Sequence, residues 1–143
     1  MATTSSARRP APGDVIAYSY LWSHEAAAGR EEAAKERPCV VVLAVGDGET
    51  PNIVVAPITS RQPDRADAIA LSLGGAGLSR PSWIIPWEVN VFRWRGPDVG
   101  RAAIPAGATW RLGSLAPPLR RLLADRVGVL LRARAASVVR RTE

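Results

Sequence analysis

Three residue types that often carry chemistry are scarce in this sequence, which has one cysteine, one histidine and one lysine. The single cysteine, Cys39, cannot form an internal disulfide, so we expect a protein of the reducing cytoplasm. One histidine and one cysteine are too few for a zinc site, and we expect neither a metal nor a cofactor. No apolar run approaches the length that crosses a bilayer, and the N-terminus has no apolar signal region behind its arginines. The sequence therefore predicts neither a membrane protein nor a secreted one.

Arginine, in contrast, is abundant. It supplies nearly all of the positive charge of a chain whose net charge is +6. The planar guanidinium group matches the geometry of phosphate, so this composition favours a polyanionic partner such as a nucleic acid. A general preference for arginine over lysine on the surface would give the same composition, and composition alone leaves both interpretations open.

The 143 residues and 47% apolar content predict a disordered leader over residues 1–12 and a single domain over residues 13–143. A run that is apolar at every position, Val40–Val45, predicts a central strand covered on both faces, as in a small closed barrel. The sequence Gly46-Asp47-Gly48-Glu49 predicts a hairpin turn after it. The apolar patterns predict strands over Gly13–Leu21, Cys39–Val45, Asn52–Ile58 and Ala68–Leu73, with a last strand, Ser82–Ile85 and Val89–Trp94, broken at Pro86.

From about residue 118 the spacing becomes helical. Pro117 and Pro118 suit the first turn of a helix, where a missing N–H group costs nothing. We expect this C-terminal helix to pack on the barrel with its arginines in solvent, while Trp22–Glu36 and Arg95–Thr109 form loops. The apolar stripe of the helix consists of Leu119, Leu122, Leu123, Val127, Leu130 and Leu131.

The two ends of the predicted hairpin carry polar residues. Arg37 precedes the first strand, and the pair Thr59-Ser60, followed by Arg61, closes the second. Arg37 and Thr59 are nearly equally far from the turn, so they meet at the open end of the hairpin. A guanidinium beside hydroxyl groups and free backbone amides can bind phosphate. A surface ion pair of the arginine is the alternative.

Four segments of the chain resemble the MazF/PemK (Kid) family of toxins from toxin–antitoxin systems. The segments are GDVIAYSY, RPCVVVLAV, IVVAPITS and GLSRPSWIIPWEVNVF, and together they cover most of the chain up to Phe92. The resemblance implies an SH3-like barrel with a C-terminal helix, which forms a homodimer and is neutralised by a cognate antitoxin. It also implies a metal-independent endoribonuclease, in which the 2′-hydroxyl of single-stranded RNA attacks the adjacent phosphate and leaves a 2′,3′-cyclic phosphate.

The resemblance also assigns roles to individual residues. Arg37 takes the place of the family's arginine, which stabilises the phosphate or protonates the leaving oxygen, and Thr59 matches the hydroxyl that holds the phosphate. His24 and Glu25 fall where Kid-like members carry a His-Glu pair, although a longer loop follows them here. We expect Ser60, Arg61, Glu25 and Trp22 to contact substrate, with Trp22 stacking on a base.

One departure from the family concerns the general base. Some members have an Arg-x-Asp-Gln stretch where this chain has Ile85-Pro86-Trp87-Glu88. Glu88 is then a candidate replacement base or a structural carboxylate. His24 is the other candidate, because imidazole titrates near neutral pH, but a lone histidine in a loop is usually only solvated. Two alternatives therefore stay open: a non-catalytic barrel that binds RNA or a protein, and a gyrase-binding protein like the toxin CcdB, which shares the barrel.

Overall fold

The computed structural model describes residues 10–18, 22, 27, 37–46, 51–71, 78, 80–94 and 111–141. Pro10 is buried, and the Ala11 N–H donates to Asp14 Oδ2 over 2.8 Å, while residues 1–9 of the expected leader lie outside the described part. The described residues form β1 (Asp14–Tyr18), β2 (Arg37–Val45), β3 (Asn52–Thr59), β4 (Ile69–Leu71), β5 (Ser82–Ile84), β6 (Glu88–Arg93), β7 (Arg111–Ser114), helix α1 (Pro117–Arg132) and β8 (Ser137–Arg140).

The strands form one sheet in which β2 and β3 are central. The order is β4-β5-β3-β2-β1-β7, and β6 pairs with β3 and, in parallel, with β8; the other pairs are antiparallel. The rings of Tyr18 on β1 and Phe92 on β6 stack with centroids 4.4 Å apart. Since β2 and β3 lie between these strands, a flat sheet would hold β1 and β6 about 14 Å apart. The sheet therefore curls into a half-barrel, and the mainly β fold class that we predicted is confirmed.

The two faces of the curled sheet carry separate apolar cores. The concave face is the one on which Tyr18 meets Phe92, and the helix face is the one covered by α1. The concave core contains Ile16, Tyr18, Cys39, Val41, Ile53, Val55, Phe92 and Trp94. The core on the helix face contains Val15, Val40, Val42, Ala56, Ile58, Ile69, Leu71, Ile84, Val89, Leu115, Leu123 and Val127. This double burial is the reason why β2 has apolar residues on both faces.

The β2–β3 hairpin forms as predicted, with one difference at its closed end. Cys39 faces Pro57 and Val45 faces Asn52, with a shift in register between Val41 and Leu43. Gly46, with a φ angle of 106°, begins the turn. The prediction that the whole Val40–Val45 run is covered on both faces was wrong, because Leu43 and Val45 are exposed. These two residues lie between the register shift and the turn, where Ala44 still packs against the concave core.

The segment around Pro86 forms two short strands along the same edge of β3. Ile84 faces Ile58, and Asn90 faces Val55. The seven residues from Ile84 to Asn90 therefore run alongside only four residues of β3, from Ile58 to Val55. Pro86 lies in the extra length between β5 and β6, which agrees with the predicted break. The predicted strand Ala68–Leu73 precedes this segment in the chain and is shorter in the structure. Ile69–Leu71 pairs with β5, and residues 72 and 73 are not described.

The C-terminal helix begins at Pro117, one residue before the expected start. Only Leu123 and Val127 of its predicted stripe are buried, while Leu122 and Leu131 are exposed, so the contact with the sheet is narrower than the stripe. Arg134, with a φ angle of 56°, ends the helix and turns the chain into β8. No helix among the described residues is long and apolar enough to cross a membrane.

Two strands, β7 and β8, were not predicted from the sequence. β7 pairs with β1, and the Arg111 guanidinium forms an ion pair with Asp14 Oδ2 at 3.2 Å. β8 pairs with β6. The whole predicted loop Arg95–Thr109 lies outside the described residues, and so does the loop Trp22–Glu36 apart from Trp22 and Ala27, the latter in helical conformation.

Candidate functional site

Arg37 and Thr59 lie at the open end of the β2–β3 hairpin. The pairing of β2 with β3 ends at Cys39 and Pro57. Continued by two residues along each strand, this register brings Arg37 opposite Thr59. On their outer sides, Arg37 faces Tyr18 and Thr59 faces Trp83. Facing residues point to the same side of a sheet, so Arg37 and Thr59 share the concave face with Tyr18. The pairing of the two strands thus reaches to within two residues of Arg37 and Thr59, and their direct facing stays a prediction.

The Arg37 guanidinium lies over an aromatic ring. Its central carbon lies 4.9 Å from the centroid of the Trp22 ring, a cation–π contact. Its Nε atom is buried and has no hydrogen-bond partner among the described residues, none of which gives Arg37 a carboxylate partner either. The surface ion pair that was the alternative for Arg37 is thus absent from the described part of the chain. An unsatisfied buried donor is costly, and an incoming anion would satisfy it.

Trp22 thereby has a position that the sequence did not predict. One face of its indole ring is turned toward the Arg37 guanidinium, and the ring also packs against the concave core. The contact orients the guanidinium, because a ring face attracts a cation from one direction only. The base stacking that we expected for Trp22 can use only those parts of its ring that Arg37 does not cover.

The Thr59 hydroxyl is oriented by the turn that follows it. Its Oγ1 accepts a hydrogen bond from the Arg61 N–H over 3.1 Å. A hydroxyl has one hydrogen and two lone pairs, so Thr59 retains its hydrogen for donation to another group. Ser60 and Arg61 are exposed and continue the rim of the sheet beyond Thr59. The turn thus leaves Ser60 and Arg61 exposed beside the Thr59 hydroxyl, and their contact with phosphate stays a prediction.

Glu88 is half-buried at the start of β6. Two residues further on, Asn90 faces Val55 of the concave core, so the alternation of a strand places Glu88 on the concave face as well. Ile85 and Trp87 stand where some relatives have arginine and aspartate; Ile85 is buried, and Trp87 is half-buried with its ring centroid 4.0 Å from the central carbon of the Arg65 guanidinium. The polar groups of that motif are replaced here by apolar side chains, and only the Glu88 position keeps a polar side chain.

The remaining predicted site residues, His24 and Glu25, lie outside the described residues. Within the part of the chain that the structure describes, no cluster of three or more His, Cys, Asp or Glu side chains could hold a metal ion.

Cys39, between Arg37 and the core of β2, is fully buried. Burial away from water raises the pKa of its thiol far above the usual range, and the positive charges of Arg37 and Arg141 only partly oppose this. A thiol that stays protonated is a poor nucleophile, so Cys39 packs in the core and does not supply the chemistry.

Sequence reasoning missed two polar residues on the concave face, Asn90 and Arg141. Asn90 is completely buried, and its Oδ1 lies 3.4 Å from Nη1 of Arg141. The Arg141 guanidinium also lies over the Tyr18 ring, 5.4 Å from its centroid. The pattern Ser137-Val138-Val139-Arg140, with its two valines, was the available signal for the strand that brings Arg141 there.

Comparison with known protein families agrees with this geometry. The profile of one family, the PemK-like, MazF-like toxins of type II toxin–antitoxin systems, matches residues 13–93. The chain belongs to this family. The match covers β1 to β6 and with them Arg37, Thr59 and Glu88. Membership implies an antitoxin partner, as the resemblance suggested. No curated protein matches the chain.

Proposed function

We propose that this PemK-like toxin is a metal-independent endoribonuclease that cleaves single-stranded RNA as a cytoplasmic homodimer. The observation that carries the proposal is the pair at the hairpin end. Arg37 has an unsatisfied Nε atom and no carboxylate partner among the described residues, and the register of β2 with β3, continued by two residues, brings it opposite Thr59 on the next strand. A fixed guanidinium and a hydroxyl donor are the groups that stabilise a phosphate whose negative charge rises in the transition state.

In the proposed reaction the substrate supplies its own nucleophile. The 2′-oxygen attacks the adjacent phosphorus, so an O2′–P bond forms while the P–O5′ bond breaks. The products are a 2′,3′-cyclic phosphate and a 5′-hydroxyl end. Arg37 and Thr59 hold the non-bridging oxygens of the phosphate, and Arg37 faces the charge that develops there.

Two protons move in this reaction. The 2′-hydroxyl gives its proton to a general base, and the leaving 5′-oxygen gains one from Arg37 or from solvent. Glu88 is the base that the described residues favour, because its half-buried carboxylate lies on the same face of the sheet as Arg37 and Thr59. His24 is the alternative base.

A second candidate function, RNA binding without cleavage, is favoured by one observation. The buried Ile85 and the half-buried Trp87, whose ring stacks with the Arg65 guanidinium, occupy the positions where some relatives carry a polar arginine and aspartate. A chain that retained only the phosphate contacts would bind RNA and leave it intact.

Replacement of Arg37 by lysine tests the proposal. Lysine keeps the charge but loses the planar fork of donors, so Arg37→Lys should lower the cleavage rate of a single-stranded oligoribonucleotide on the order of 10²-fold. Arg93→Lys is the matched control, because Arg93 is an exposed arginine at the end of β6. Both variants should keep the circular dichroism spectrum of the wild type, and the wild type should cleave equally well in the presence of EDTA.

The products and the failures of this experiment are also informative. Cyclic phosphate ends identify attack by the 2′-hydroxyl, whereas 3′-phosphate ends from the start of the reaction would contradict it. Cleavage by Arg37→Lys at the rate of Arg93→Lys would remove Arg37 from the mechanism. Wild-type protein that binds the oligonucleotide without cutting it would establish the second candidate function. Protein that neither binds nor cuts RNA would point to a protein target.

A further inference from the structure

The last strand brings an arginine onto the face of the sheet that carries Arg37. β8 runs parallel to β6, with Asn90 facing Val139 and Val91 facing Arg140. The strand register continues one step further, because the Arg141 N–H donates to the Val91 carbonyl over 2.8 Å. Side chains alternate along a strand, so Arg141 shares the concave face with Asn90, while Arg140 points to the opposite side and is exposed.

The Arg141 guanidinium is positioned by two concave-face residues. It lies over the ring of Tyr18 at 5.4 Å from the centroid, and its Nη1 lies 3.4 Å from Asn90 Oδ1. Both of these residues are buried, so they cannot follow a moving side chain into solvent. The arrangement repeats that of Arg37, whose guanidinium lies over Trp22. Stacking on a ring uses one face of a guanidinium and fixes the plane in which its N–H groups lie.

Tyr18 connects the two arginines. Arg37 is its direct partner on β2, which places their Cα atoms about 5 Å apart. Arg141 lies over the ring of the same tyrosine. The positive charges of both arginines also act on the buried Cys39 thiol, whose pKa they lower against the larger effect of burial. The fields of the two guanidiniums therefore overlap, and overlapping like charges favour an anionic ligand.

We propose that Arg141 is a second phosphate-binding residue, which contacts a backbone phosphate next to the one held by Arg37. The inference rests on the proposed function in one respect, namely that the ligand is single-stranded RNA. A chain of phosphates satisfies two neighbouring guanidiniums at once, which a single phosphate monoanion at Arg37 would not. The C-terminal strand thus extends the site beyond the residues matched by the family profile, which ends at Arg93.

Binding of a non-cleavable ligand separates this inference from catalysis. The probe is a single-stranded oligoribonucleotide with 2′-O-methyl groups throughout, which has no 2′-hydroxyl to attack. Arg141→Gln should weaken binding about tenfold, since it removes a charge-assisted contact. It should also reduce the slope of log affinity against log salt by about 0.7, the value for one phosphate of a single strand. Arg140→Gln removes the same charge from the neighbouring position on the opposite face and should change the slope little.

Neutral linkages locate the contact on the ligand. A series of the same probe is prepared in which each member carries one uncharged methylphosphonate linkage at a different position. The wild type should bind two members more weakly, the one that is uncharged at the phosphate held by Arg37 and the one that is uncharged at a neighbouring phosphate. For Arg141→Gln, an uncharged neighbouring linkage should no longer weaken binding, whereas for Arg140→Gln it should weaken binding as it does for the wild type. If Arg141 only supported the fold, its replacement would weaken the binding of every probe in the series by the same factor. Arg141→Met, which keeps the apolar contact with Tyr18, replaces the glutamine variant if circular dichroism shows that the latter is unfolded.

The outcomes distinguish this inference from the proposed function. Equal slopes and equal linkage profiles for the Arg140 and Arg141 variants would overturn the role of Arg141, even if the wild type cleaves RNA. A linkage-specific loss in Arg141→Gln would support it, even if the wild type cleaves nothing and the ribonuclease proposal fails. Absence of binding by the wild type at low salt would overturn both the phosphate contact and its ligand.

Discussion

Arg37 illustrates how a single residue can be fixed in its backbone and unsatisfied in its side chain. Its backbone belongs to β2, where it pairs with Tyr18, and Pro38 restricts the chain immediately after it. The side chain stacks on Trp22 with a buried Nε atom that lacks a hydrogen-bond partner among the described residues. A binding site pre-organised in this way loses little side-chain entropy when its ligand arrives.

The Thr59 hydroxyl can be tested by an isosteric change. Thr59→Val keeps the β-branched shape that suits the end of β3 but removes the donor, so cleavage should slow by roughly 10²-fold if that donor stabilises the transition state. Thr59→Ser keeps the hydroxyl and should retain most of the rate. Initial rates on one oligoribonucleotide, with folding checked by circular dichroism, give the comparison. Equal rates for the valine variant and the wild type would make Thr59 a strand-end residue only.

The residues of the site differ in how far the sequence could predict them. Arg37 and Thr59 were found because a tight hairpin fixes which residues face each other, and this depends on local sequence alone. Arg141 was missed because it reaches Tyr18 only through a parallel strand that follows a helix. Such a long-range pairing leaves no local spacing rule from which to infer the contact.

At the scale of elements, the strands β1 to β6 and the helix were predicted, whereas the short strands β7 and β8, which flank the helix along the chain, were not. β2, β3 and α1 have clear apolar periodicity and cover 9, 8 and 16 residues. β7 has four residues, including Gly113, and none of them is buried, so no core pattern marks it. β8 is similarly short, and all four of its residues are at least partly exposed. Strands defined by backbone pairing at a sheet edge give little signal in side-chain hydrophobicity.

The narrow contact of α1 with the sheet leads to a prediction about stability. Val127 is 1% exposed, whereas Val129, two residues later, is 56% exposed. Val127→Ala should lower the free energy of unfolding by about 2 kcal/mol, because it leaves a cavity in the core of the helix face. Val129→Ala should change it by no more than about 0.5 kcal/mol. Both variants make the same change in helix propensity, so the difference between their denaturation midpoints isolates burial. Equal midpoints would mean that α1 does not close this core.

At the scale of the whole molecule, the two faces of the sheet differ in what lies over their cores. α1 covers the helix face, and Leu123 and Val127 fill the core there. The concave face combines a buried aromatic core with the half-buried Arg37 and Arg141 above it. The net charge of +6 adds a long-range attraction for anions to these local contacts. Both faces thus contribute a core, and the concave face is the one on which the proposed polyanionic ligand would meet the two arginines.

This difference between the faces predicts how the antitoxin acts. A toxin with net charge +6 and two guanidiniums on one face should be neutralised by an acidic antitoxin segment that occupies the same face as RNA. The cognate antitoxin should therefore displace a fluorescent 2′-O-methyl oligoribonucleotide from the toxin in step with its inhibition of cleavage. An unrelated acidic protein of similar charge should displace little at physiological salt, because non-specific attraction is screened there. Inhibition of cleavage with the oligonucleotide still bound would instead place the antitoxin on another surface, and it would separate neutralisation from the arginines of the concave face.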